Sequence, residues 1–333
     1  MKRVGIAGAT GLVGETLLRL LESSEYEIED LRLFASQKSA GIMVSFRDQE
    51  YEVKELAVDG FQGLEIAFFC LENELAQKFV PAVAKLCPVI DKSSQFRLKD
   101  DVPLVVPEVN PGALSGHKNI IANPNCTTIP LVVALNPLHQ EFGLKEVFLA
   151  SYQSVSGAGR AALEQLYYES EFFVLHRQPD TGESPFPVQI VDNVIPQIGA
   201  VDESGFSAEE KKTILETKKI LGLAELAVNS TCVRVPVTVG HCLAVTCRFE
   251  KAVDLAGVRR VLQKAPGVVL KPDREPLTPV VCRQRNEVFV SRVRAGATAN
   301  DLNLWIVADN LYKGAATNAL QIAGLLLKNS EGL

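Results

Sequence analysis

Residues 3–14 read RVGIAGATGLVG, and this stretch decides the fold class. A short β-branched run stops at a glycine, and an apolar helical pattern starts four residues later. Gly8, Gly11 and Gly14 fall where strand turns into helix. Glycine at such a corner permits a tight turn. It also lets backbone N–H groups approach a pyrophosphate at the positive end of the helix. A glycine triplet alone is a weak signal. This one follows a strand, opens a helix and begins a βαβ run, so it predicts a nucleotide loop formed by Gly8, Thr10, Gly11, Leu12 and Val13.

Working outward, helices over 12–22 and 73–86 alternate with the apolar runs DLRLFA (30–35), EIAFFC (65–70), PVIDKS (88–93), PLVVPEV (103–109) and NIIANP (119–124). That rhythm predicts βαβ units and a mostly parallel, Rossmann-type sheet. The second strand also selects the cofactor. An NAD site wants an acid there for the ribose 2′-hydroxyl. This chain reads LFASQKSAG (33–41), which offers Ser36, Lys38 and Ser39 to a 2′-phosphate. The expectation is NADP, against the plainer reading of Lys38 as a solvated loop charge.

Beyond Cys126 the texture changes. A helix is expected over 127–140, then a strand-like EVFLASYQSVSG (146–157) and a polar, proline-bearing region over 176–206. A helix over 207–221 is opened by Ser207 with Glu210 three places on, a capping box. AVNSTCVRVPV (227–237) and HCLAVTCRFE (241–250) are β-branched runs on either side of a tight turn at Val239–Gly240. DNLYKGAATNALQIAGLLLKN (309–329) reads as one small-residue helix that packs back on the first domain. The expected division is a nucleotide-binding domain of residues 1–125 plus 309–333 and an α+β catalytic and dimerisation domain of residues 126–308.

The whole composition is that of an ordinary globular protein: 333 residues, 47% hydrophobic, 22% charged, net charge -6. That balance argues against nucleic acid or an anionic membrane as partner. No apolar run reaches the ~20 residues of a membrane span, and the N-terminus carries no signal-peptide core, so the expected location is the cytoplasm. Seven cysteines, an odd number, sit mostly in apolar settings and point to reduced thiols. Four scattered histidines and no CxxC pair predict no metal.

One cysteine is placed differently. Residues 123–129 read NPNCTTI. Pro130 lacks an N–H and is tolerated only in the first turn of a helix, which pins the helix start close to Cys126. A thiol there faces unpaired N–H groups and the positive end of the dipole, both of which favour thiolate. A cysteine nucleophile beside a nicotinamide implies an acyl-enzyme dehydrogenase, which also needs a proton carrier. His241 follows a glycine at a turn near Arg234. On spacing alone it reads as either that carrier or a structural histidine.

GATGLVG (8–14), SSQFR (93–97), VPEVN (106–110), NPNCTT (123–128), YQSVSGAG (152–159), AEEKK (208–212), RVPVTVGH (234–241) and DNLYKGAATNA (309–319) occur in the order found in the aspartate-β-semialdehyde dehydrogenase family. The resemblance runs from residue 1 to about 325 and is nearest the branch common in Gram-positive bacteria, archaea and many other microbes. It implies a glyceraldehyde-3-phosphate-dehydrogenase-like fold, a homodimer formed through the second domain, and NADP-dependent, reversible reductive dephosphorylation of L-4-aspartyl phosphate to L-aspartate 4-semialdehyde. It implies Cys126 as nucleophile, Gln153 orienting the acyl group, His241 as acid/base and Arg234 paired with the substrate carboxylate. Glu209 would meet the substrate ammonium, and Arg97 and Lys212 the phosphate. Ser156, Gly157 and Asn310 would line the cofactor pocket.

Without the resemblance, Glu209 and Lys212 read equally as a surface i,i+3 pair, and Arg97 as a loop charge. Where the family usually has DNSSAFR, this chain has DKSSQFR (91–97), with Lys92 beside the phosphate segment. The rivals are N-acetyl-γ-glutamyl-phosphate reductase, which runs the same chemistry on a longer, acetylated substrate, and an inactive paralogue acting as a binding protein. The free-ammonium anchor Glu209 and the NPNC loop favour the aspartyl substrate.

Overall fold

The computed structural model describes residues 1–176 and 184–330. Part of the polar region expected over 176–206, residues 177–183, lies outside the described residues, as do residues 331–333. The chain forms two compact units, residues 1–125 with 315–333 and residues 126–314. The return crossing falls after Gly314 rather than before Asp309, because the strand ending at Ala308 and the turn after it belong to the second unit's sheet.

In the first unit the elements run β1 (Arg3–Ala7), α1 (Leu12–Glu22), β2 (Asp30–Ala35), β3 (Met43–Phe46), β4 (Gln49–Glu55), β5 (Ile66–Phe69), α2 (Asn73–Val83), β6 (Val89–Asp91) and β7 (Ile120–Ala122). The sheet order is β3-β4-β2-β1-β5-β6-β7, parallel throughout except that β3 pairs antiparallel with β4. Val4 and Ile6 of β1 are fully buried, and Leu17, Leu18 and Leu21 give α1 an apolar stripe against the same core. PLVVPEV does not become a strand. Only Leu104 bridges to Ala122, and Val106 N–H turns to the Asn110 side chain instead.

The second unit contains α3 (Thr128–Phe142), β8 (Leu144–Gln153), α4 (Arg160–Val174), α5 (Ala208–Leu221), β9 (Ala227–Arg234), β10 (His241–Phe249), α6 (Leu255–Lys264), β11 (Val268–Leu270), β12 (Val288–Ala295) and β13 (Asp301–Ala308). Its sheet order is β11-β12-β13-β10-β8-β9. The two runs read as flanking a tight turn are therefore not a hairpin. β8 lies between β9 and β10, parallel to the first and antiparallel to the second. Residues 235–240 cross over the end of β8, held where Val155 N–H bonds to Val237 O and Ser156 N–H to Thr238 O.

α3 is buried on nearly every side from Thr128 to Leu135, which fits its uninterrupted apolar sequence. β8 alternates, with Val147, Leu149, Ser151 and Gln153 buried and Phe148 and Tyr152 exposed on the opposite face. α7 (Thr317–Ser330) returns the chain to the first unit, where Ala316, Ala319, Ile322 and Ala323 join the core of β1 and α1. The segment read as one helix opens instead with a π-helical turn over Tyr312–Ala316. Asp309 stays outside it, its carboxylate accepting from Leu311 and Tyr312 N–H. No described helix is long and apolar enough to cross a membrane.

Candidate active site

In the first unit β1 has β2 on one side and β5 on the other, so strand order reverses at its carboxyl end. That is the switch point at which open α/β sheets bind ligands. The glycine corner sits there, and its glycines have separable reasons. Gly8 adopts a φ of +82°, and a Cβ on it would lie 2.5 Å from Cys70 O; a Cβ on Gly14 would lie 2.2 Å from Gly8 O. These two are demanded by the protein's own packing. A Cβ on Gly11 would meet nothing closer than Gly8 O at 3.4 Å. Its bareness serves no internal contact and leaves room for a pyrophosphate at the N-terminus of α1. Thr10 and the first residues of α1, Leu12 and Val13, are half-buried around the same corner. Ser36, Lys38 and Ser39 follow β2 directly, Ser36 and Lys38 exposed, with no carboxylate from 36 to 41. The loop fits a dinucleotide bearing a 2′-phosphate.

Arg97 is also in the first unit. It is buried, and its Nη2 donates to Lys92 O. Beside it Asp91 is fully buried with Ser93 Oγ donating to its Oδ2, and burial pushes its carboxyl up despite the charges of Arg97 and Lys92.

The second unit gathers Cys126, Gln153, Glu209, Arg234 and His241. Cys126 immediately precedes Thr127, the N-cap of α3, and Pro130 occupies the first turn. The parallel register of β8 and β9 sets Gln153 beside Arg234 on the helix-covered face. His241 is the first residue of β10, and its Nε2 lies 3.3 Å from Cys126 Sγ. Arg234 Nη1 donates to Ser154 O over 2.7 Å. Glu209 comes from the first turn of α5. There Ser207 and Glu210 complete the expected capping box, and Glu210 Oε1 also accepts Cys232 N–H from β9. Lys212 Nζ is 3.3 Å from Glu209 Oε2.

Electrostatics separate these groups. Burial, reinforced by the Arg234 charge, pushes His241 down to about 3 against the opposing pull of Glu209, so the imidazole is neutral at ordinary pH. Burial also lowers Arg234, again opposed by Glu209. Burial pushes Cys70 and Cys87 to about 11, Cys242 and Cys282 to about 12, and Cys232 and Cys247 upward as well.

Gly157 is exposed, and a Cβ on it would come within 2.9 Å of Arg234 Nη1 and 3.2 Å of His241 Nε2. Ser156 and Asn310, expected on the cofactor pocket, are buried, and their side chains bond inward to each other. Sequence reasoning missed Ser154, whose N–H and Oγ both lie 3.1 Å from His241 Nδ1. The only trace of it in the sequence is the small polar pair Ser154 and Ser156 at the end of β8. Among the described residues no three of His, Cys, Asp or Glu converge on a metal position.

A dinucleotide crevice in one unit and a cysteine–histidine pair beside a buried arginine in the other define the class, a nicotinamide-dependent oxidoreductase. Two family models match the chain: semialdehyde dehydrogenase, NAD binding domain, over residues 3–117, and semialdehyde dehydrogenase, dimerisation domain, over residues 135–313. The chain is 42% identical to the aspartate-semialdehyde dehydrogenase of Aquifex aeolicus, covering 99% of each chain. It is 40% identical to that of Bacillus subtilis, covering 98% of this chain and 97% of the other. Among solved structures it resembles aspartate semialdehyde dehydrogenase II of Vibrio cholerae, with a TM-score of 0.94 and 39% identity over 98% of this chain and 99% of that one. It also resembles the Candida albicans enzyme solved with NADP, with a TM-score of 0.77 and 25% identity over 98% of each. The chain belongs to the aspartate-semialdehyde dehydrogenase family, enzymes of amino-acid biosynthesis, and a nicotinamide dinucleotide is its cofactor.

Proposed function

We propose that the chain reduces L-4-aspartyl phosphate to L-aspartate 4-semialdehyde through a thioester on Cys126, with the reverse reaction running through the same species. The observation that carries this is the 3.3 Å approach of His241 Nε2 to the one thiol placed at a helix N-terminus.

Cys126 sulfur bonds to the acyl carbon, the carbon–oxygen bond to phosphate breaks, and inorganic phosphate leaves. The glycine corner and Lys38 would hold NADPH, whose hydride would convert the thioester to a tetrahedral oxyanion. The carbonyl then reforms, the carbon–sulfur bond breaks and Cys126 is restored as thiolate. His241 presents its ring to the sulfur and the oxyanion. Gln153 orients the acyl group. Arg234 receives the α-carboxylate in the planar fork that lysine cannot offer, and Glu209 receives the ammonium. Lys212 and Arg97 bind phosphate, with Lys92 adding a second cation to the Arg97 segment.

A homodimer formed through the second unit is supported by the matching dimerisation-domain model and by the exposed Phe148 and Tyr152 on the uncovered sheet face. The seven cysteines, all thiols, support a reducing compartment such as the cytoplasm as location. The likeness to the Gram-positive and archaeal branch rests on the motif set, among relatives that span Aquifex, Rickettsia and Bacillus.

The test is a spectrophotometric assay with semialdehyde, phosphate and NADP on the wild type, Cys126→Ala and Cys126→Ser. Turnover should vanish in the alanine variant while NADP binding persists. A serine variant that kept a large share of wild-type kcat would sink the thioester, because an unactivated hydroxyl is a far weaker nucleophile.

A further inference from the structure

Cys126 and His241 approach within 3.3 Å although 115 positions separate them, and one short segment touches both sides of that contact. It runs from Asp309, just after β13, to Gly314 in the middle of the π-helical turn. At one end Asn310 Oδ1 accepts the N–H of Gly240, the residue before His241, over 2.9 Å. At the other end Gly314 lies against Cys126. A Cβ on Gly314 would sit 3.1 Å from Cys126 Cβ and 3.2 Å from Cys126 O, with Asp309 O at 3.3 Å. The backbone at Gly314 is not left-handed, so conformation alone does not call for glycine there. The bare α-carbon serves the close approach.

We propose that Asp309 and Gly314 are positioning residues for the reaction: they fix this segment against both partners and so set the separation of Cys126 from His241. The inference rests on Cys126 being the nucleophile.

The segment is rigid because Asp309 is buried and gathers four backbone N–H groups. Its Oδ1 accepts from Leu311 over 2.8 Å and from Tyr312 over 3.1 Å, and its Oδ2 from Gln284 over 2.8 Å. Its carbonyl accepts from Gly314 over 2.9 Å. The turn cannot slide without breaking several of these bonds at once. π-Helical turns of this kind recur at functional sites. Carbon atoms in ordinary contact stand about 3.5–4.0 Å apart, so a methyl on Gly314 would force a movement of a few tenths of an ångström. Asp309 O resists it, being tied to the Gly314 N–H. Cys126 gives way instead, since Pro130, four places on, brings no N–H to bond its carbonyl. Its sulfur then leaves its place beside His241 Nε2, and reaction rates fall steeply with such misplacement.

The test is steady-state kinetics with semialdehyde, phosphate and NADP on the wild type, Gly314→Ala, Asp309→Asn and the double variant. Gly314→Ala should lower kcat about tenfold, while KM for the semialdehyde, NADP affinity and the thermal transition stay at wild-type values. Asp309→Asn keeps the shape but turns an amide NH2 towards groups that donate, which loosens the segment. Its kcat should also fall with KM unchanged, and it supplies the same reading should Gly314→Ala fail to fold. In the double variant the loosened segment yields to the methyl, so adding Gly314→Ala to Asp309→Asn should cost less than about threefold. Wild-type kcat in either single variant would overturn the positioning role. So would losses that simply multiply in the double variant, or a change confined to KM. Cys126→Ala in the same assay separates this inference from the proposed function. Wild-type activity that it abolishes keeps that function standing whatever the Gly314 variant shows.

Discussion

Arg234 Nη1 donates to the carbonyl of Ser154 over 2.7 Å, so part of a guanidinium buried to 5% exposure is spent on holding the turn after β8. The remaining donors are thereby aimed instead of free to rotate. The same bond ties the proposed substrate anchor to the residue that contacts His241 Nδ1. For Arg234→Lys the ammonium cannot make both the bond to Ser154 and a two-pronged contact with a carboxylate. Steady-state kinetics with the semialdehyde should show kcat/KM lower by about 100-fold, mostly through KM. An unchanged KM would remove Arg234 from substrate binding.

Gly157 lies over the pair of residues that matter most to this geometry. A methyl there would meet Arg234 Nη1 at 2.9 Å and the His241 ring at 3.2 Å and 3.3 Å. Neither neighbour can yield cheaply, since Arg234 is fixed to Ser154 O and His241 to Ser154 N. Gly157→Ala should leave the thermal transition within about 1 °C, because the position is exposed. It should lower kcat/KM by about 10- to 100-fold, the usual consequence of an ångström of misplacement. Wild-type kinetics in that variant would show that the crowding is relieved harmlessly.

Local signals made the first unit and the position of Cys126 legible. β1, the glycine corner and α1 are contiguous, and the helix boundaries at 12 and 22 follow from the apolar stripe alone. Pro130 fixed the start of α3, and Ser207 with Glu210 fixed the start of α5. What stayed hidden was non-local. β9 and β10 look like partners because only six residues separate them, yet β8, 74 residues before β9, inserts between them. The β3–β4 hairpin was invisible because its mostly exposed residues lack a clean alternation. Ser154 and Asn310 meet although 156 positions apart, and nothing in either local stretch announces the other. Pattern reveals which face is buried. It does not reveal which buried polar groups complete each other's hydrogen bonds.

Lys38 tests the cofactor reading directly. It stands exposed just after β2, where an acid would otherwise bond a ribose hydroxyl. In Lys38→Ala the kcat/KM for NADP should fall by about 10-fold or more while that for NAD changes little, the loss of one charge-assisted phosphate contact. An unchanged ratio of the two constants would return Lys38 to the status of a solvated loop charge.

The depressed ionisation of His241 has a consequence for stability that needs no substrate. Its ordinary value is 6.5 and its value in the fold is about 3, with burial the leading cause. Between those two values the unfolded chain binds a proton that the folded chain refuses. The neutral ring's contribution is therefore fully present above about pH 6.5 and is lost steadily as pH falls towards 3. At about 1.4 kcal/mol for each unit of separation the loss amounts to a few kcal/mol, moderated by residual structure in the unfolded chain. His241→Gln has no proton to take up. Thermal unfolding of both proteins from about pH 7.5 to about pH 4 should show the wild-type Tm falling more steeply below pH 6.5, with parallel curves above it. Curves that stay parallel throughout would mean that the ring is already hydrated and protonated in the fold.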